Sequence, residues 1–183
     1  MMGFTMFAKA AQGFTLITAA LSLSACATLP VGAALHTAEA VPMSHYTGTW
    51  HEIARHPMAL TDGCVAGYTR YAPGPAADEI AIEDGCHDKT PNGKLKSIHA
   101  DGTLVDAGGA NAKLTARYPF FITYRYWVLY EAPDHSWFIS ATPDMKNLWI
   151  YTREIPSPEA LKPMVAKAQS LGYDVGQLEF PAQ

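Results

Sequence analysis

The stretch Gly48-Thr49-Trp50-His51-Glu52-Ile53-Ala54-Arg55 is the most informative segment of the chain. It lies within a predicted β-strand, residues 49–56, because Thr, Trp and Ile favour extended structure. Side chains alternate between the two faces of a strand, so Trp50, Glu52 and Ala54 are expected to share one face. A Trp near the start of a first strand can close one end of a barrel. That face is therefore the candidate interior.

Seven further short runs of strand-forming residues follow, separated by Gly, Pro, Asn or Asp. Short connections imply antiparallel, up-and-down order, and eight such strands can close into a barrel without free edges. We predict an all-β fold, an eight-stranded antiparallel up-and-down β-barrel, whose interior holds one small ligand. The predicted strands are residues 49–56, 65–71, 79–84, 94–100, 113–118, 124–131, 136–142 and 147–153.

The chain ends with one predicted α-helix. Ser157-Pro158-Glu159 is typical of a helix start, and Gly172 is a natural stop. Pro163 removes a backbone donor, so the helix is expected to kink there or to begin nearer Leu161. Residues 174–180 are a candidate final strand. Apolar residues recur every three or four positions and give the helix one apolar face: Leu161, Met164, Val165, Ala168 and Leu171.

Composition favours one folded domain and argues against nucleic acid. The chain has 183 residues, 49% of them hydrophobic, with a formal net charge of −4. That length and apolar fraction suit a single packed core. Neutralising phosphates needs clustered Lys and Arg, and no such cluster is present, so we predict no nucleic-acid partner.

Three segments resemble lipocalins of the bacterial outer-membrane lipoprotein type. Residues 48–55 resemble the family's first-strand motif, commonly G-x-W-Y-E-I-A-R, with His51 in place of Tyr. Residues 148–153 resemble the end of the eighth strand, and the helix near 157–171 matches one packed outside the barrel. The family's Thr-Asp-Tyr motif is degenerate here, where Tyr130-Glu131-Ala132-Pro133 stands in its place.

The resemblance covers roughly residues 46–180 and implies structural roles for two residues. These are Trp50 and Arg153, with the guanidinium lying over the indole ring. Such a cation–π contact contributes about 0.5–2 kcal/mol.

The first 25 residues have the pattern of a signal peptide. Residues 14–23 are apolar, and Leu23-Ser24-Ala25-Cys26 resembles the lipobox of bacterial lipoproteins. The resemblance implies that Cys26 becomes the first mature residue and carries lipids such as palmitate. An ordinary secretion signal cut nearby is the alternative.

The predicted organisation is a signal peptide (1–25), a lipid-anchored tether (26–45) and a barrel domain (46–183). Ala27 follows the lipobox where related lipoproteins use Asp for inner-membrane retention. The absence of Asp at this position favours an outer-membrane lipoprotein facing the periplasm. The tether is Ala-rich and contains two prolines.

Cys64 and Cys86 remain as an even pair in an oxidising compartment. They flank a predicted hairpin whose turn lies at Pro73-Gly74-Pro75. Paired residues of an antiparallel hairpin have a constant index sum, here about 150, which is also the sum for the two cysteines. We predict a disulfide, with two free thiols as the alternative.

The same register places Ala66 opposite Asp84 and Tyr68 opposite Ile82. In the sixth strand, one face carries Tyr124, Tyr126, Val128 and Tyr130 and the other Arg125, Trp127 and Leu129; the pattern does not decide which faces inward. For each candidate below, simple core packing is the alternative to ligand contact. The ligand-binding candidates are Glu52, Ala54, Ala66, Tyr68, Ile82, Tyr126, Val128, Trp149 and Tyr151.

Pro119-Phe120-Phe121 lies in the predicted connection between the fifth and sixth strands. Two adjacent Phe residues are costly in an exposed loop. They are expected to line the pocket or to contact a membrane or partner surface. A partly buried turn is the alternative.

The sequence contains no established metal-binding or catalytic motif, and its seven histidines are scattered. We predict no metal, no cofactor and no enzymatic activity, although Glu52 and Asp84 could form an acidic pair inside the barrel. The resemblance implies non-catalytic binding, storage or transport of a fatty acid or lysophospholipid during envelope maintenance or stress. The alternatives are an enzyme acting on a hydrophobic substrate and a partner-binding lipoprotein with a filled lumen.

Overall fold

The computed structural model describes residues 35–183. Eight strands form one closed barrel in which each strand pairs antiparallel with the next and β8 pairs with β1. The predicted barrel and single C-terminal helix are confirmed. The elements are β1 (Gly48–Arg55), β2 (Cys64–Pro73), β3 (Glu79–Asp88), β4 (Leu95–Leu104), β5 (Lys113–Arg117), β6 (Thr123–Glu131), β7 (Trp137–Ala141), β8 (Leu148–Thr152) and α1 (Pro158–Ser170).

A β-bulge in β1 reverses the alternation of its side chains. Glu52 pairs with Tyr151 and Ala54 with Ile150, so Ile53 is an extra residue. The prediction that Ala54 faces the lumen is therefore wrong. Ala54 is fully buried on the outer face, in the cluster that includes Met164 of α1.

The β2–β3 hairpin has a different register from the predicted one, because its turn lies at residues 74–78 and Pro73 pairs with Ile80. Cys64 pairs with Asp88, Thr69 with Asp84, and Tyr71 with Ile82. The predicted pairs of Ala66 with Asp84 and of Tyr68 with Ile82 are wrong because the turn lies later in the chain than predicted. A bulge at residues 66–67 then adds one residue to β2 alone, beyond Tyr68. The disulfide is nevertheless confirmed, since Cys64 and Cys86 are bonded with their Cα atoms 5.5 Å apart.

One end of the barrel is closed by a plug that begins before β1. A short 3-10 helix, Met43–Tyr46, buries His45 and Tyr46 beneath Trp50. The Trp50 indole donates to the His45 carbonyl (2.9 Å), and Arg153 lies 3.5 Å from the centre of the Trp50 ring. The contact expected between Trp50 and Arg153 is thus present.

The folded domain begins earlier than the predicted boundary at residue 46. The Ala38 amide donates to the Val128 carbonyl, and Val41 is buried with its amide bonded to the Ala110 carbonyl. The predicted tether is therefore packed against the barrel over its last residues. The predicted signal peptide, lipobox and Cys26 lie outside the described residues.

Helix α1 packs on the outside of the barrel through the predicted apolar face. The Ser157 hydroxyl caps it by accepting from the Ala160 amide (3.2 Å). The helix continues through the exposed Pro163, so the expectation of a later start is wrong. Residues 174–180 contribute one bridge, between Arg55 and Glu179, rather than a strand. None of the helices within residues 35–183 has the length and apolar character needed to cross a bilayer.

Candidate functional site

A cavity of about 330 Å³ occupies the barrel interior away from the plug. It opens between the β1–β2 and β5–β6 connections and the start of β4, where Leu60, Ile98 and Ile122 are exposed. At about 30 Å³ per water-sized group, it holds on the order of eleven such groups. This volume fits one small molecule or about a dozen atoms of a longer chain.

The cavity contains part of the predicted ligand-binding set. Glu52, Ile82, Tyr126, Trp149 and Tyr151 line it. The inner face of β6 is therefore the one that carries Tyr126, which settles the alternative that the sequence left open.

The remaining predicted residues are placed differently. Val128 faces inward but is buried in the plug, and Ala66 lies in the β2 bulge, where its amide bonds to the Ala182 carbonyl. Tyr68 borders the cavity, but its hydroxyl donates to Glu83 (2.6 Å) on the outer face, and Arg70 lies over its ring. Neither Ala54 nor Ala66 nor Val128 lines the cavity.

A polar cluster surrounds Asp84 inside the barrel. Its carboxylate accepts from the hydroxyls of Thr69 and Tyr118, each at 2.5 Å. The Tyr118 and Tyr126 hydroxyls lie 3.0 Å apart, and the Tyr151 hydroxyl lies 3.4 Å from that of Thr69. Burial raises the pKa of Asp84 above its ordinary value, while the hydroxyl donors oppose that rise.

The sequence interpretation did not identify Tyr118. It follows β5, whose buried inward residues are Leu114 and Ala116. Continuing that alternation by one step places Tyr118 inward, so this signal was available. The hydroxyl then reaches Asp84 of β3 across the intervening strand β4.

A buried ion pair forms the second polar feature of the cavity. Arg55 Nη1 donates to Glu52 Oε1 (2.5 Å), and the same guanidinium donates to the carbonyls of Thr61 and Cys64 (3.0 Å each). Burial raises the pKa of Glu52, an effect that Arg55 opposes. Glu52 and Asp84 are thus not a mutually bonded acidic pair, because each has its own partners.

Aromatic rings form much of the cavity wall. The ring centres of Tyr124 and Tyr126 are 5.9 Å apart, and those of Tyr126 and Trp149 are 5.4 Å apart. Ring faces and edges give an apolar surface, while the phenol hydroxyls supply hydrogen bonds at its polar end. The site therefore suits a ligand with both apolar and polar parts.

Phe120 and Phe121 do not line the cavity. Phe120 is 89% exposed and Phe121 fully exposed, both with left-handed backbone φ angles near 60°. The alternative of a partly buried turn is therefore wrong. From this connection, Tyr118 lines the cavity and Ile122 reaches its mouth.

Residues 35–183 contain no group of three or more His, Cys, Asp or Glu side chains arranged to hold a metal ion. Buried His45 instead lies with its Nδ1 2.9 Å from Glu131, within the plug.

A closed barrel with a ligand-sized cavity and an external helix is the architecture of small-molecule-binding barrel proteins. The chain belongs to the lipocalin family, because the family model described as "Lipocalin-like domain" matches residues 41–183. It is 29% identical over 157 residues to temperature-induced lipocalin-1 of Arabidopsis thaliana, covering 77% of this chain and 78% of the plant protein.

Solved lipocalin structures share the fold at low sequence identity. Insecticyanin from the tobacco hornworm Manduca sexta superposes with a TM-score of 0.64 at 18% identity, covering 81% of this chain and 84% of its own. Lobster apocrustacyanin A1 superposes with a TM-score of 0.58 at 13% identity, covering 76% and 78%. At these identities the likeness concerns the fold alone.

Proposed function

We propose that this protein is a non-catalytic carrier that binds a single-chain lipid, a fatty acid or a lysophospholipid, in the barrel cavity. The observation that supports the proposal is an open cavity of about 330 Å³ with an aromatic and aliphatic wall. Each buried methylene contributes about 0.8 kcal/mol, so a dozen carbons would offset typical association costs. Binding is then reversible partition of an apolar chain into a preformed site.

The binding proposal is tested by identifying what the protein retains. The protein expressed from its full-length chain in a bacterium would be purified without detergent exchange, extracted, and the extract examined by mass spectrometry. We expect one lipid molecule per protein. A protein that is empty and takes up no added lipid would refute the carrier function and favour partner binding.

Variants localise the bound chain. Tyr126→Arg and Tyr151→Arg place a long cation in the cavity and should reduce lipid affinity at least tenfold. Thr103→Arg adds the same group on the outer face of β4, between the inward Gly102 and Leu104, and should leave affinity unchanged. Equal lipid affinity in all three variants would show that the ligand binds outside the cavity.

We also propose that the protein is an envelope lipoprotein anchored through Cys26. A dozen residues separate Cys26 from Ala38, whose amide bonds to the barrel, and such a segment spans at most about 40 Å. The domain would then work close to its membrane. Incorporation of labelled palmitate into the full chain, absent in Cys26→Ala, tests the anchor, and membrane fractionation tests its location. If the wild-type protein incorporated no labelled palmitate, the lipid anchor would be refuted.

A further inference from the structure

Asp84 differs from the other buried carboxylates in having no cationic partner. Glu52 is paired with Arg55, and Glu131 lies between two histidines, His45 and His135. Among residues 35–183, no Lys, Arg or His nitrogen lies within 4.0 Å of the Asp84 carboxylate. Its negative charge inside the barrel is therefore opposed only by hydroxyl dipoles.

Asp84 also keeps unused hydrogen-bonding capacity toward the cavity. An ionised carboxylate offers about four acceptor sites, and the hydroxyls of Thr69 and Tyr118 occupy two of them. The residue lines the cavity, so the remaining sites are accessible to a ligand. A cation or a strong hydrogen-bond donor on the ligand would occupy these remaining acceptor sites of Asp84.

The surrounding wall favours a cation for a second reason. Tyr118, Tyr124, Tyr126 and Trp149 follow one another with ring centres 5.4–6.1 Å apart. Aromatic faces attract ammonium groups through the ring quadrupole, and combinations of such faces recognise quaternary ammonium ligands. Here the aromatic wall and the uncompensated carboxylate lie in the same cavity.

We propose that Asp84 and the neighbouring tyrosines form a subsite for the ammonium group of an amphiphilic ligand. The inference rests on the proposed carrier function and narrows its ligand class. The ammonium could belong to a simple alkyl ammonium or to a zwitterionic lipid headgroup. A fatty acid entering with its carboxylate inward would instead meet a like charge, which disfavours both ionised forms.

The titratable groups facing the subsite set its pH dependence. The charged groups are Asp84 itself, Glu52 with its partner Arg55, Lys96 in the cavity wall, and Glu83 next to Asp84 on the outer face. The phenols of Tyr71 and Tyr124 also line the cavity, and those of Tyr118, Tyr126 and Tyr151 lie closest to the polar cluster. Burial raises the pKa of each of these last three phenols, so all three stay protonated at neutral pH. Ammonium binding should therefore weaken as the pH falls through the raised pKa of Asp84.

The test compares four probes with the same twelve-carbon chain: dodecyltrimethylammonium, dodecylphosphocholine, dodecanoate and dodecanol. Each is titrated calorimetrically, below its micellar concentration, into the protein expressed from its full-length chain. We expect the two ammonium probes to bind at least tenfold more tightly than dodecanol and dodecanoate. Tight binding of dodecyltrimethylammonium alone would assign the site to simple alkyl ammonium ions, and tight binding of dodecylphosphocholine alone to zwitterionic headgroups.

Two variants connect the preference to the residue. Asp84→Asn keeps the shape but removes the charge, and should reduce the ammonium preference at least tenfold with little change for dodecanol. Glu83→Gln removes a carboxylate from the outer face of the same strand and should change each affinity less than twofold.

Failure of the ammonium subsite and failure of the carrier function give different results. If dodecanoate or dodecanol binds as tightly as the ammonium probes to the wild-type protein, the subsite is refuted while the carrier function stands. This comparison needs no variant, so a poorly folded Asp84→Asn protein does not weaken it. If none of the four probes binds, the carrier function itself fails.

Discussion

Replacing Arg55 with Met should strongly destabilise the barrel. Arg55 is only 3% exposed, although its guanidinium carries a full charge. It donates to Glu52 and to Glu179 Oε2 (3.2 Å), and it also bonds the carbonyls of Thr61 and Cys64. One side chain thus joins β1, the β1–β2 connection and the C-terminal segment.

The magnitude follows from what the substitution leaves behind. Glu52 keeps a buried carboxylate without a partner, and removing one member of a buried pair costs about 3–5 kcal/mol. Typical domains have only about 5–15 kcal/mol of stability in total. At about 2–4 °C per kcal/mol, the melting temperature of Arg55→Met should fall by roughly 6–20 °C.

Urea unfolding followed by circular dichroism measures this loss. Arg70→Met is the matched control, because Arg70 pairs with Glu83 at 3.1 Å while its side chain is 54% exposed. An exposed pair contributes about 0–1 kcal/mol, so this variant should unfold near the wild-type midpoint. The double variant Glu52→Gln/Arg55→Met should lose less than the sum of the single variants. A loss below about 1 kcal/mol in Arg55→Met, or strict additivity, would refute the reasoning.

Three further predictions concern the disulfide and the plug. Serine at both Cys64 and Cys86 should lower the unfolding free energy by about 3 kcal/mol, since a 22-residue loop is no longer closed; equal urea midpoints would contradict this. Burial lowers the pKa of His45, so the folded protein favours the neutral imidazole. The stability that depends on neutral His45 is fully present above the ordinary pKa near 6.5 and is lost as the pH falls toward the lower pKa of the folded state. His45→Phe should therefore lose less stability than wild type between pH 7.5 and 5 in thermal melts, and parallel losses would exclude His45 as the cause. Arg153→Met should cost about 2 kcal/mol in urea unfolding, because the guanidinium stacks on Trp50 and bonds carbonyls of the plug; an unchanged midpoint would show that this contact is not stabilising.

The strands and the helix could be predicted from the sequence because their signals are local. Runs such as residues 79–84 and 124–131 are rich in β-branched and aromatic residues and are bounded by Gly, Pro or Asp. Ser157 before Pro158 identified the start of α1, and the structure shows that serine capping the helix. Pro163 was misleading, because packing of Met164 and Ala168 on the barrel holds the helix together across the missing hydrogen bond.

Which side chains face the cavity could not be predicted as well. Alternation by parity assumes that each strand gains no extra residue, and bulges in β1, β2 and β6 break that assumption. The bulge in β1 moves Ala54 to the outer face, and Ala66 lies in the bulge of β2. The Tyr68 hydroxyl points away from the lumen because the hairpin turn lies later than predicted, which reverses the face assigned to this residue. A bulge depends on pairing with a neighbouring strand, so a pattern within one strand does not reveal it.

The bulges in β1 and β2 and the buried ion pair of the cavity are connected. Without the extra residue at Ile53, alternation from Glu52 would send Arg55 outward, and the Glu52 carboxylate would be buried alone. The bulge in β2 lies beyond Thr69 and brings Cys64 to the cavity wall beside Cys86, where the Cys64 carbonyl accepts from Arg55. Bulges are common beside functional sites because they redirect individual side chains. In this barrel they hold the Glu52–Arg55 pair in a largely aromatic lumen, so a related chain with the same lining residues but without these extra residues would have a different cavity polarity and select different ligands.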